Sequence, residues 1–258
     1  MEQKKAAVIS IALQKGGTGK STTALNLSGI LGSQGKKVLL IDLDDQGNST
    51  YASNANPEYS ITNVLSGDVK ISDAICHSKY YDLLAADEWL ANVERDENFY
   101  SDTLKKYIDH IIDKYNYIII DTPPALGNLS INALAASKYV IVPCDPRPFA
   151  LQGLGRLNDT LQEVKSINPD LEVLGVLLVK YSERSNLNKA VKGMVEDFTK
   201  EMNTTLFQTS IREGVAVPES QIMREPLVDY APKSNPIKDY ESFAKEVEER
   251  IDDYENKL

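Results

Sequence analysis

The chain has 258 residues, 42% of them hydrophobic and 26% charged, with a formal net charge of −10. That length suits one large domain with a sizeable core, and the composition is that of a folded globular protein, neither disordered nor collagenous. No apolar run approaches the ~20 residues of a membrane span, and the acidity opposes non-specific attraction to nucleic acid over most of the surface while leaving room for a local basic patch. Cys76 and Cys144 stand far apart in the sequence, which points to reduced thiols in the cytoplasm rather than a disulfide framework. The first strand-like segment follows Met1 almost at once, so no signal peptide is expected.

Strand-like and helical patterns alternate along the whole chain. This alternation implies an α/β fold: a doubly wound, mostly parallel sheet with helices on both faces. Strands are expected at residues 6–13, 38–42, 82–86, 117–121, 139–143, 173–179 and 205–211, each nearly continuous in apolar character, as strands buried on two sides are. Helices are expected at 21–31, 99–114, 152–167 and 186–202, and residues 54–57 read as a loop. No repeat or linker divides the chain, so residues 1–258 read as a single domain. Its last element is an amphipathic helix at about 237–257, with Tyr240, Phe243, Val247, Ile251, Tyr254 and Leu258 at helical spacing. The polar face of that helix carries more acids than bases. A membrane-surface helix needs the opposite balance, so packing on the domain is expected and membrane contact is not.

Three segments carry chemistry. The first is Gln14-Lys15-Gly16-Gly17-Thr18-Gly19-Lys20-Ser21-Thr22-Thr23, between the first strand and the first helix. A strand, a glycine turn and a helix N-terminus make a phosphate cradle, because backbone N–H groups converge where the helix dipole favours an anion. Lys20 is placed to reach the β- and γ-phosphates, and the Ser21 hydroxyl to ligate Mg²⁺. Gln14 takes the place of the first glycine of the general G-x-x-x-x-G-K-[ST] pattern, and Lys15 lies five residues before Lys20. The second segment, Leu40 to Asn48, puts Asp42 and Asp44 at the carboxyl end of a buried strand, where ligands bind in open α/β sheets. The third, Tyr117 to Pro124, is an apolar strand ending in Asp121, which supplies a carboxylate to the metal shell, followed by two prolines that stiffen the next loop.

The K-G-G-x-G-K-[ST] form is the deviant Walker A signature of the ParA/MinD group of P-loop ATPases, and the chain resembles that group from Val8 to about Ala244. The run from Asp42 to Asn48 resembles its D-x-D-P-Q-G-N segment, with Asp45 in place of the usual proline. Asp121-Thr122-Pro123-Pro124 resembles its D-x-P-P segment. Val140 to Pro143 and Ala150 to Leu154 resemble scaffold near its dimer face. The resemblance implies ATP/ADP and Mg²⁺ as cofactors, held by residues Lys15 to Thr22. Lys15 then crosses a dimer interface to the partner's nucleotide, Asp44 positions the lytic water, and Ser21, Asp42 and Asp121 serve the metal. Arg212 and Glu213 fall where the family sets a loop against adenine, or belong to an ordinary strand-to-helix loop. His77 and His110 lie on polar helical stretches and read as surface residues.

Among ParA-like proteins the expected activity is ATP hydrolysis by a dimerising switch for plasmid or chromosome partition. A ParB-type partner stimulates it, and the ATP dimer binds DNA without sequence preference and associates with the nucleoid. The alternative is a ParA-like ATPase that positions a protein cargo. A MinD-like division-site protein calls for a basic C-terminal helix, and an iron-protein-like reductase for cysteines placed to share a cluster; neither condition is met. Lys180, Arg184, Lys189 and Lys192 against Glu183 give a local charge of +3, which reads either as a DNA patch or as a solvated helix face.

Overall fold

The computed structural model describes residues 5–96, 99–147 and 149–257. The apolar segments assemble as β1 (Ala7–Ile11), β2 (Val38–Asp42), β3 (Cys76–His77), β4 (Asp82–Leu84), β5 (Tyr117–Asp121), β6 (Tyr139–Cys144), β7 (Glu172–Tyr181) and β8 (Ile211–Arg212). They form one sheet in the order β3-β4-β2-β5-β1-β6-β7-β8. Neighbours run parallel, except that β3 pairs antiparallel with β4. Every residue of β1 and β2 is buried, which explains why these strands read as unbroken apolar runs.

From β1 the sheet extends through β5 and β2 on one side and through β6 and β7 on the other. The point where strand order reverses is where open sheets bind ligands, and the glycine-rich loop leaves β1 there. The register of β2 on β5 sets Asp42 beside Asp121 at this edge.

The helix after the loop, Lys20–Ser33, packs Leu27, Ile30 and Leu31 into one core shared with the C-terminal helix Asn235–Glu255. That helix buries Ile237, Tyr240, Phe243, Val247 and Ile251 and half-buries Tyr254; Leu258 lies outside the described residues. Phe243 meets Phe207 edge to face at 4.9 Å. Arg250 fastens the same helix to the sheet. It donates to the carbonyls of Leu174 at 2.8 Å and Leu206 at 2.6 Å, with its guanidinium over the Phe207 ring. Among the described residues, no helix is long and apolar enough to cross a membrane.

Three expectations change. Residues 205–211 do not form a strand: they contribute a single bridge between Leu206 and Val176, then the two residues of β8. The reason is competition for donors, because Glu246 of the C-terminal helix accepts from the backbone N–H groups of Gln208 and Thr209. The helix expected at 99–114 is confined to Thr103–Ile108, with a tighter 3₁₀ turn at Ile112–Lys114. His77 sits on edge strand β3, hydrogen-bonded to Asp82, and His110 in the turn after Thr103–Ile108; both are exposed. Cys76 also lies on β3 and Cys144 at the end of β6, five strand spacings of about 4.8 Å apart, so the two thiols are remote from each other.

Candidate active site

Gly17 and Gly19 adopt φ values of 73° and 85°, a left-handed conformation that costs side-chain-bearing residues about 1–2 kcal/mol. With these turns the loop from Lys15 to Gly19 wraps the N-terminus of helix Lys20–Ser33. The Lys15 carbonyl is its internal anchor, accepting from Thr18 Oγ1 at 3.2 Å and from Lys20 Nζ at 3.1 Å. Lys20 is 6% exposed. Burial lowers its pKa, while the nearby carboxylates Asp121 and Asp44 pull it back up. A desolvated ammonium at the head of a helix is a cationic socket waiting for phosphate oxygens.

A cleft of about 520 Å³ opens over this loop, lined by Gly16, Gly17, Lys20, Ser21, Asp44 and Lys180 among others. A second space of about 660 Å³ continues from Gly19 and Thr22 toward Ile211, Arg212, Glu213, Val217 and Tyr240. Together they give a charged end for phosphates and a largely apolar end for a base. The floor is braced by Gln221 Nε2, which donates to Thr22 Oγ1 at 3.0 Å. Arg212 lines the apolar space but its guanidinium is engaged with Asp239, so Glu213 is the base-side carboxylate without such a fixed partner among the contacts seen.

The three aspartates differ in what they hold. Asp42 is fully buried, and both its oxygens are engaged: Oδ1 accepts from Asp44 N at 3.1 Å, Oδ2 from Thr50 N at 2.8 Å and Thr50 Oγ1 at 2.9 Å. Asp44 lines the cleft, and its Oδ1 accepts from Gln46 N at 3.2 Å. Asp121 is fully buried; its Oδ2 accepts from Ser49 Oγ at 2.7 Å, while Oδ1 makes no hydrogen bond among the described residues. Burial raises the pKa of all three. In Asp42 the Thr50 and Asp44 donors oppose the rise, and in Asp121 the neighbouring Asp42 adds to it.

A buried carboxylate oxygen without a donor costs about 1–3 kcal/mol or more. Its presence beside the Ser21 hydroxyl sets two oxygen donors together, the ligand chemistry Mg²⁺ takes, so the residues fit the ion. Ser21 and Asp121 are the groups that would hold it. Asp42 instead spends its lone pairs on the loop between β2 and the short helix Asn48–Ala52, whose Thr50 Oγ1 also accepts from Ala86 N at 2.9 Å.

Lys180 stands apart from the basic residues near it in sequence. A break in register between Val179 and Tyr181, with Lys180 at φ 53°, turns its ammonium onto the phosphate loop. It donates to the Gly17 carbonyl at 2.9 Å and lies 3.7 Å from Asp145. Arg184 and Lys189 are exposed, while Lys192 pairs with Glu196 at 3.7 Å and covers the Tyr181 ring. Sequence reasoning also passed over Ser49 and Thr50. Two consecutive hydroxyls just after a D-x-D run at a strand end are the signal that could have found them.

This sheet and this loop define a P-loop ATPase of the deviant Walker A type. The chain belongs to the ParA/MinD family, and the family model described as "AAA domain" matches residues 6–173. It is 36% identical over 249 residues to the sporulation initiation inhibitor protein Soj of Bacillus subtilis, covering 93% of this chain and 97% of that one. It is 34% identical over 261 residues to the chromosome partitioning protein ParA of Caulobacter vibrioides, covering 97% of each. Among solved structures, cobyrinic acid a,c-diamide synthase from Mycobacterium smegmatis with bound ATP analog and magnesium superposes with a TM-score of 0.80 at 31% identity. That match covers 93% of each chain.

Proposed function

We propose that the protein is an ATP-driven dimerising switch for partition of a plasmid or chromosome, stimulated by a ParB-type partner and binding DNA without sequence preference in its ATP state. The observation that carries the reading is a cleft lined by the phosphate loop, Lys20, Ser21 and Asp44, with the buried Asp121, one of whose oxygens has no hydrogen bond among the described residues, close to Lys20 beneath it. Similarity to Soj and ParA supports partition as the setting.

Each residue has a task that follows from its position. The backbone of Gly16 to Gly19 and the Lys20 ammonium hold the β- and γ-phosphates. Ser21 and Asp121 would hold Mg²⁺, which when bound would offset negative charge on those phosphates. Asp44 accepts a hydrogen bond from the attacking water; its Oδ1 accepts from Gln46 N while the residue lines the cleft. Lys15, half-exposed at the start of the phosphate loop, reaches the nucleotide of the second subunit. Dimer formation then depends on the γ-phosphate, and hydrolysis removes the anion that joins the subunits. Arg184 and Lys189 project from the start of helix Asn186–Glu201 as the DNA contacts.

The test is Asp44→Ala. Removing the group that orients water should cut phosphate release at least ~100-fold while ATP still binds, so the variant should accumulate as an ATP-bound dimer. Phosphate release at the wild-type rate removes Asp44 from the mechanism.

A further inference from the structure

Ser49 lies in the first turn of helix Asn48–Ala52, and its side chain is completely buried. Its hydroxyl donates to Asp121 Oδ2 across 72 residues of sequence, at 2.7 Å. Its own carbonyl is held in turn, accepting from Ser53 N at 3.1 Å and Ser53 Oγ at 2.6 Å, so the first turn cannot drift without breaking both. The adjacent residue, Thr50, grips Asp42 through N and Oγ1. On the other side, Gly47 N donates to the Asp44 carbonyl at 2.9 Å. Within six residues, therefore, one short segment touches all three aspartates at this edge of the sheet.

The contact at Asp121 is one-sided. A hydroxyl that served only to satisfy a buried carboxylate would leave the second oxygen with another donor, as Thr50 and Asp44 N do at Asp42. At Asp121 the second oxygen is buried, has no hydrogen bond among the described residues, and belongs to a carboxylate close to Lys20 of the phosphate socket. Fixing one oxygen of a carboxylate fixes the direction of the other, which is how groups around a metal's ligands set its affinity.

We propose that Ser49 is a positioning residue for Mg²⁺: it clamps Asp121 Oδ2 so that Oδ1 is presented to the ion, and it ties that orientation to the loop carrying Asp44. The inference rests on the reading of Asp121 as the metal-shell carboxylate. It makes Ser49 responsible for the metal-dependent part of nucleotide binding and not for nucleotide binding as such.

The experiment measures the affinity of a fluorescent ADP analogue by anisotropy, once in Mg²⁺ and once in EDTA, for the full chain and three variants. The ratio of the two affinities is the readout, because a merely structural defect lowers both alike. Ser49→Ala should bind in EDTA within about two-fold of wild type while the Mg²⁺ enhancement falls about 10–100-fold, the range for loss of a group that orients a metal ligand. Ser49→Cys keeps a weak donor and should fall between the two; it also carries the test should Ser49→Ala fail to fold. Asp121→Asn should lose the enhancement. An unchanged ratio in both Ser49 variants, or an equal loss in Mg²⁺ and EDTA, overturns the role of Ser49 while leaving Asp121 in place if Asp121→Asn has lost its enhancement. A normal enhancement in Asp121→Asn overturns the metal-shell reading itself, and the Ser49 inference with it.

Discussion

Neutralising Lys189 should change the salt dependence of DNA binding by an amount the structure fixes. Of the four basic residues between 180 and 192, Lys180 is committed to the phosphate loop and Lys192 to Glu196 and the Tyr181 ring. Arg184 and Lys189 remain exposed, two per protomer and four in a dimer. Four phosphate contacts give a slope of about −3.6 in log affinity against log salt, so affinity should fall about 150-fold between 50 and 200 mM salt. Lys189→Ala leaves two contacts, a slope of about −1.8 and a loss of only about 12-fold over the same range. The assay is an anisotropy titration of ATP-bound Asp44→Ala protein on random-sequence duplexes, with and without Lys189→Ala. A slope that does not change on removing Lys189 places the contact elsewhere on the surface. No binding at the lowest salt refutes the DNA reading and leaves a protein cargo as the load of the same switch.

Two further outcomes follow from the buried charges. Folding raises the pKa of Asp42 to about 6, through burial and the nearby Asp44, and that of Asp121 to about 8, through burial and the nearby Asp42, both above their unfolded values. The stability tied to these raised values is present in full below about pH 4 and is lost as pH climbs through them. The thermal midpoint of the nucleotide-free protein should therefore fall between about pH 4 and pH 8, the window between the unfolded and folded values, and Asp121→Asn should flatten the slope. A midpoint that rises across that window in calorimetry contradicts the assignment. Arg250→Ala should cost about 2–4 kcal/mol, since it removes the Arg250 donors to the Leu174 and Leu206 carbonyls and takes the cationic partner from Glu246, which keeps only its backbone donors Gln208 N and Thr209 N, at a mostly buried position. Denaturant titration should show that loss with nucleotide affinity unchanged, and a variant as stable as wild type would show that Arg250 does not anchor the C-terminal helix.

Much of the site was legible because its signals are local. Three glycines and two lysines within six residues specify a left-handed turn and a cationic socket whatever the rest of the chain does. Asp42 and Asp121 end unbroken apolar runs, and parallel pairing of those runs brings the ends together. What stayed hidden depends on distant contacts. Nothing near residue 208 announces that Glu246 will take its backbone donors, so the 205–211 segment looks like a strand and is not. The short antiparallel β3 has too few residues to show a period. Lys180 was grouped with Arg184 by proximity in sequence, but one bulge in β7 swings it to the opposite task. Ser49 could be matched to Asp121 only once β2 and β5 lay side by side.

The account stands on Lys15 being the residue that makes association depend on ATP. Sedimentation velocity of Asp44→Ala, with and without Lys15→Ala, in ATP and Mg²⁺ tests this directly, because turnover is suppressed in both proteins. The Asp44→Ala protein should sediment as a dimer with ATP and as a monomer with ADP. Adding Lys15→Ala should leave ATP bound, by nucleotide anisotropy, on a protein that sediments as a monomer. A double variant that still dimerises with ATP would contradict the claim.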